Sequence, residues 1–104
     1  MMMDEKLKGL ISQCDVVLFM KGSTQMPQCG FSAQAVAILQ ALDVAFETVD
    51  VLADPDVRQG MKVYSDWPTF PQLYVNQTFM GGVDIMRQMY ESGELAQVFE
   101  AVGD

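Results

Sequence analysis

A cysteine set between a proline and a glycine, in the run Met26-Pro27-Gln28-Cys29-Gly30-Phe31-Ser32, has the surroundings of a reactive thiol. Three residues further on, at the spacing of a Cys-x-x-Cys redox motif, stands Ser32. In such a motif the second thiol attacks the mixed disulfide formed by the first, so a hydroxyl at that place removes the resolving step. Cys29 is left as a nucleophile or metal ligand that must take its second sulfur from elsewhere. Three features favour its thiolate: the positive end of a helix dipole, free backbone donors at that helix start, and Lys21 a loop away. The alternative is a buried structural cysteine. Pro27 and Gly30, which bracket Cys29 in a loop-to-helix turn, argue against it. Cys14, the only other cysteine, has no glycine, proline or cation arranged around it and reads as a small residue at an element boundary.

Two further constellations could work beside this thiol. In Trp67-Pro68-Thr69-Phe70-Pro71-Gln72, a cis proline just before a strand would turn the backbone groups of Phe70 outward, ready to pair with an extended peptide. An ordinary proline turn before an edge strand is the plainer reading, but a cysteine at a helix start makes a docking edge the better one. In Gly81-Gly82-Val83-Asp84, two glycines allow close backbone approach and the helix start offers N–H donors to an anion. Asp84 would cap its own helix, or its carboxylate would meet an ammonium of a ligand. Lys21 and Arg58 are two of only six cations, and either could grip a carboxylate, Arg58 through a bidentate fork. Taken alone on a helix face, Arg58 would read as a solvated charge.

The elements that must position these residues follow from hydropathy patterning. Leu7, Leu10 and Ile11 mark an amphipathic helix from Asp4 to about Gln13. Val16 to Met20 is an unbroken apolar run, a strand buried on both faces. A punctuated polar loop then delivers the chain to Cys29, and Phe31, Ala35, Val36, Ile38, Leu39 and Leu42 predict a helix from Gly30 to about Leu42. Ala45 to Val51 reads as a second strand, and Asp54-Pro55 as the cap and first turn of a helix to about Tyr64. Gln72 to Val75 and Thr78 to Met80 predict a hairpin about Asn76-Gln77, with Gly81-Gly82 ending its second strand. Helices over Asp84 to Tyr90 and about Gly93 to Val102 close the chain. The expected class is α/β. The first two strands, joined by a helix, should be parallel and the hairpin antiparallel, giving a mixed four-stranded sheet covered by helices on both faces.

Composition narrows the functions. The 104 residues suit one domain with a single core, and a net charge of −8 argues against a general nucleic-acid surface or adhesion to anionic lipid. Two cysteines are too few for a disulfide scaffold and accord with a reducing compartment. The first residues lack the blocks of a signal or transit peptide, and no apolar run approaches a membrane span. The expected placement is cytoplasmic or nuclear, although an organellar form shorn of its targeting segment would look the same.

Together these residues strongly resemble the monothiol glutaredoxins of the Cys-Gly-Phe-Ser type. Phe19-Met20-Lys21-Gly22, Cys29-Gly30-Phe31-Ser32, Arg58-Gln59-Gly60, Trp67 to Gln72 and Gly81 to Asp84 fall in that family's order. The resemblance implies a thioredoxin fold and a single glutaredoxin domain over residues 1–104, complete or cut from a longer protein. It implies a glutathione site as well. Lys21 and Arg58 would hold the glycine carboxylate, and the Phe70 backbone ahead of cis Pro71 would pair with the cysteinyl backbone. Val83, through its N–H, and Asp84 would hold the γ-glutamyl end, with Cys29 facing the glutathione sulfur. It further implies a [2Fe-2S] cluster bridged between two subunits, Cys29 being the metal ligand in each and two glutathiones completing the set. The expected function is glutathione-dependent cluster binding and transfer, in cluster assembly and iron homeostasis. The partners would be a second copy when cluster-bound and iron–sulfur acceptor proteins. The alternative is an enzyme, a monothiol oxidoreductase that reduces protein–glutathione mixed disulfides with Cys29 as nucleophile. A third reading is a binding module in a larger iron sensor. Thr24 stands where many relatives have proline. Val83 stands where some have a second cysteine, which excludes a disulfide to Cys29 there.

Overall fold

The central strand explains the layering. In a computed structural model, which describes residues 2–103, β1 (Val16–Met20) has all five residues fully buried. A strand alternates its side chains between two faces, so an unbroken apolar run needs cover on both. Val16, Leu18 and Met20 pack with Ala35, Val36 and Leu39 of α2 (Gly30–Ala41), Met86 of α4 (Val83–Ser92), and Leu95 and Phe99 of α5 (Glu94–Gly103). Val17 and Phe19 pack on the opposite face with Leu7 and Ile11 of α1 (Met2–Ser12) and Val57 and Met61 of α3 (Pro55–Ser65).

The four strands lie in the order β2-β1-β3-β4, with β2 at Glu47–Asp50, β3 at Gln72–Val75 and β4 at Thr78–Gly81. β1 runs parallel to β2, with Val17 opposite Glu47 and Met20 opposite Asp50, and antiparallel to β3, with Phe19 opposite Gln72. β3 and β4 form the expected hairpin, turned by Asn76 and Gln77 with φ of 49° and 67°. Two consecutive positive φ values match the right-handed twist of the flanking strands. The fold is the α/β, mixed four-stranded, two-face-covered architecture that the patterning predicts.

Boundaries shift by one or two residues at most of the elements, β4 for instance running on to Gly81, and three of the differences have a visible cause. β2 begins at Glu47 rather than Ala45, because Val44 and Phe46 pack onto the α2 core before the ladder starts. Gly93, at φ 87°, ends α4 in the left-handed region, so α5 starts one residue later than predicted. The cap predicted at Asp84 falls instead on Gly82. Asp84 lies inside the first turn of α4, and its Oδ1 takes an ion pair from Arg87 at 3.0 Å. The Asp54 cap is formed as predicted, with Oδ1 accepting from the Asp56 and Val57 amides at 3.1 and 3.2 Å and Pro55 in the first turn.

Candidate functional site

The loop after β1 is folded tightly on itself. The Gln28 N–H donates to the Lys21 carbonyl at 2.9 Å, the Ser23 N–H to the Met26 carbonyl at 3.2 Å, and Gly22 bridges Pro27. Gly22 has φ +92°, and a Cβ there would lie 2.5 Å from the Met26 carbonyl oxygen and 2.6 Å from the Gln28 nitrogen. Only glycine combines that dihedral with that approach. The loop therefore hands the chain to α2 in one fixed geometry.

Cys29 is the residue on which α2 begins, extended at φ −151° and ψ 135°, with no side-chain cap bond formed. Its thiol is nonetheless held below the ordinary thiol pKa, chiefly by the Ser32 backbone N–H. The Phe31 N–H, the Lys21 charge and the Ser32 hydroxyl add to this, while partial burial opposes it. These are the helix-start donors and the cation expected from the sequence. Ser32 is fully buried, and its Oγ accepts the Lys21 N–H at 3.1 Å. The hydroxyl in the place of a second thiol thus ties the end of β1 to the first turn of α2. Cys14 is half-buried against the α1/α3 core and meets none of this machinery.

Cys29 opens on a cavity of about 680 Å³. The structure brings every predicted site residue to its wall: Lys21, Cys29, Arg58, Phe70, Pro71, Val83 and Asp84. The Phe70–Pro71 peptide is cis, and the Phe70 side chain is buried in the α1/α3 core, so the chain there offers the cavity its backbone. Gln72, fully buried, donates through Nε2 to the carbonyls of Trp67 and Thr69 at 3.3 and 3.2 Å, which pins the wall segment from inside. A row of aromatic contacts supports the same wall. Trp67 lies 5.7 Å from Phe79, Phe79 5.4 Å from Tyr74, and Tyr74 5.6 Å from Phe19 of β1, all between ring centroids.

Lys62 also lines the cavity and escaped sequence reasoning, although it follows Arg58 by four residues on α3 and so shares its face. Half of the chain's six cations therefore meet here. Among the described residues none of the three forms an ion pair, since the two pairs present are Lys6–Asp54 and Arg87–Asp84. The Arg58 Nε is buried without a partner among those residues. A protein of net charge −8 thus presents unpaired cations and two helix starts around one thiol of lowered pKa, an arrangement suited to an anionic ligand.

Similarity to known proteins follows the same residues. The family model described as Glutaredoxin matches residues 16–80. An uncharacterised monothiol glutaredoxin of Synechocystis sp. is 53% identical over 95 residues, 91% of this chain and 89% of that protein. A chloroplastic monothiol glutaredoxin, S7, of Oryza sativa is 55% identical over 94 residues, 90% of this chain and 56% of that protein, so the chain spans about half of that relative's length. The solution structure of reduced poplar apo GrxS14 superposes with a TM-score of 0.82 at 48% identity, covering 97% of this chain and 94% of that one.

Proposed function

This chain belongs to the glutaredoxin family, in its monothiol type, and from that premise we propose that it is a glutathione-dependent carrier of [2Fe-2S] clusters. The observation that supports the reading is one thiol of lowered pKa, Cys29, at a cavity with unpaired cations and with no second thiol three residues on. A [2Fe-2S] cluster takes four thiolates. Among the described residues no group of three or more His, Cys, Asp or Glu side chains is placed to hold a metal ion, and Cys29 is the one thiol lining the cavity. Two protomers and two glutathiones complete the set, with the cluster as cargo between them.

In this reading the chain's own residues bind and orient the tripeptide. Lys21 and Arg58 hold the glycine carboxylate, and Lys62 lies on the same wall. The Phe70 backbone beside Pro71 pairs with the cysteinyl residue. The Val83 N–H, at the uncapped start of α4, and Asp84 take the γ-glutamyl end. Half of the iron ligands then arrive on an exchangeable small molecule and can leave without unfolding the protein, which suits transfer to acceptor proteins. Anaerobic reconstitution with iron, sulfide and glutathione is expected to give a visible chromophore and a dimer. Cys29→Ser should give neither, and a colourless monomer from the unaltered chain would overturn the reading.

The lowered pKa of Cys29 favours a second reading, reduction of protein–glutathione mixed disulfides. The Cys29 thiolate attacks the glutathione sulfur and the protein thiolate leaves, giving a Cys29–glutathione disulfide. The thiolate of a free glutathione then attacks the glutathione sulfur of that disulfide, forming oxidised glutathione with the Cys29 thiolate as the leaving group. Turnover of a glutathionylated substrate at the rate of a dithiol glutaredoxin would rank this activity above cluster transfer. No described helix is long and apolar enough to cross a membrane. With a cyanobacterial and a chloroplastic protein among the relatives, the cytoplasmic or nuclear placement expected from the sequence acquires an organellar counterpart.

A further inference from the structure

Asp50 stands outside the cavity yet holds the segment that enters it. Lys21 is the first residue beyond β1, and its main chain is held at three points. Its N–H donates to Ser32 Oγ at 3.1 Å, its carbonyl accepts from the Gln28 N–H at 2.9 Å, and the next amide, that of Gly22, donates to Asp50 Oδ1 at 2.9 Å. The same carboxylate oxygen accepts the Leu52 N–H at 2.9 Å. Strand register puts it there. Parallel pairing sets Asp50 opposite Met20, and the Val51 N–H donates to the Met20 carbonyl at 2.9 Å, one bond past the last rung. The half-buried side chain of Asp50 therefore reaches across to the residues that follow β1. A one-residue slip of β2 would carry it to the other face of the sheet.

The first two anchors belong to the loop and helix that carry Cys29. Asp50 is the only one of the three that comes from β2, and so it sets the whole loop relative to the sheet. Lysine is a flexible side chain, and the affinity it supplies depends on how well the backbone aims it. We infer that Asp50 is a positioning residue for glutathione binding. Through the Gly22 amide it fixes the direction in which Lys21 leaves β1, and hence where the ammonium meets the glycine carboxylate. The inference rests on the glutathione reading above.

The sign of the effect separates aim from charge. A carboxylate near an anion site repels the anion, so neutralising Asp50 without losing its acceptor should leave binding unchanged or tighten it. Losing the acceptor should weaken it. The test is a titration of the metal-free protein with reduced glutathione, followed by backbone amide shifts, in a double-mutant cycle with Lys21. Asp50→Ala is expected to weaken glutathione about tenfold, the scale of a lost charge-assisted bond. Asp50→Asn, whose amide oxygen still accepts from Gly22 and Leu52, should stay within about twofold or bind more tightly. In the Lys21→Ala background, Asp50→Ala should change affinity by less than about twofold. Should the alanine variant fail to fold, Asp50→Ser, whose hydroxyl cannot span both amides, carries the same expectation.

Unchanged affinity in Asp50→Ala, equal weakening with and without Lys21, or an asparagine variant as weak as the alanine one would each overturn the inference and leave the glutathione reading standing. If the unaltered protein shows no saturable glutathione binding, the glutathione reading falls, and the inference falls with it.

Discussion

Two kinds of helix start lie within this small fold. α3 begins on Asp54, whose carboxylate accepts from two backbone amides and takes Lys6 Nζ at 2.8 Å on its other oxygen. α2 and α4 begin on Cys29 and Gly82, and neither start has a side-chain cap bond. The difference follows what each start faces. Asp54 is tied to α1 and lies away from the cavity, whereas Cys29 and Phe31, and Gly82 to Ile85, are part of the cavity wall. Orphan amides at a helix start must find a partner in side chain, water or ligand. The chain supplies one away from the cavity and withholds it on the cavity wall, so local stability and binding capacity are divided between helices on opposite faces of the sheet.

The strongest way to break that division is to cap α2. Cys29→Asp places a carboxylate where the Phe31 and Ser32 amides can donate. It should raise stability by about 1 kcal/mol in denaturant unfolding while abolishing the reconstituted chromophore entirely. A variant less stable than the parent would show that these donors are not free. A smaller effect concerns the sulfur itself. Because the Cys29 pKa is lowered, chiefly by the Ser32 N–H, the rate of alkylation by iodoacetamide should reach half-maximum below the ordinary thiol value of about 8.5. A midpoint at or above that value would mean that the uncapped start does not serve the thiolate.

The smallest expected effect is at α3. Asp54→Ala should lower the unfolding midpoint by a few degrees, with the chromophore and glutathione binding retained. The Asp54 carboxyl is held below the usual range, first by the bond from Lys6 and then by the Val57 N–H. A depressed folded-state pKa contributes stability that is present above the unfolded value, about 3.9, and is lost as pH falls through the folded one. The gap between parent and variant should therefore be full near neutrality and close in acid. A gap that persists at low pH would assign the effect to something other than this carboxylate.

Much of this was legible in the sequence because it rests on local signals. The apolar run Val16 to Met20 announces a strand with two covered faces, Asp54-Pro55 announces a helix start, and the spaced motifs from Lys21 to Asp84 announce residues that meet. What was not legible depends on register and on hydrogen bonds between distant segments. Ser32 reads as the loss of a thiol until its hydroxyl is seen to accept the Lys21 amide. Asp50 reads as one acid of many until parallel pairing sets it beside the end of β1. Asp84 looks like a cap, but the helix begins two residues earlier, on Gly82. Lys62 shows how a legible signal is overlooked, since it follows Arg58 by one helical turn and only the cavity makes that spacing count.

The aromatic row that runs from Phe19 to the cavity wall ends on Trp67, which is the only tryptophan in the chain. Trp67 is 37% exposed, and its Nε1 lies so close to the start of α4 that a Cβ on Gly82 would approach it to 3.3 Å. The unlabelled protein therefore carries a single indole, which can be excited apart from its three tyrosines and is placed on the surface that a ligand of the Cys29 cavity would touch. Its emission is an optical signal from the wall of that cavity, with no second tryptophan elsewhere in the chain to dilute it.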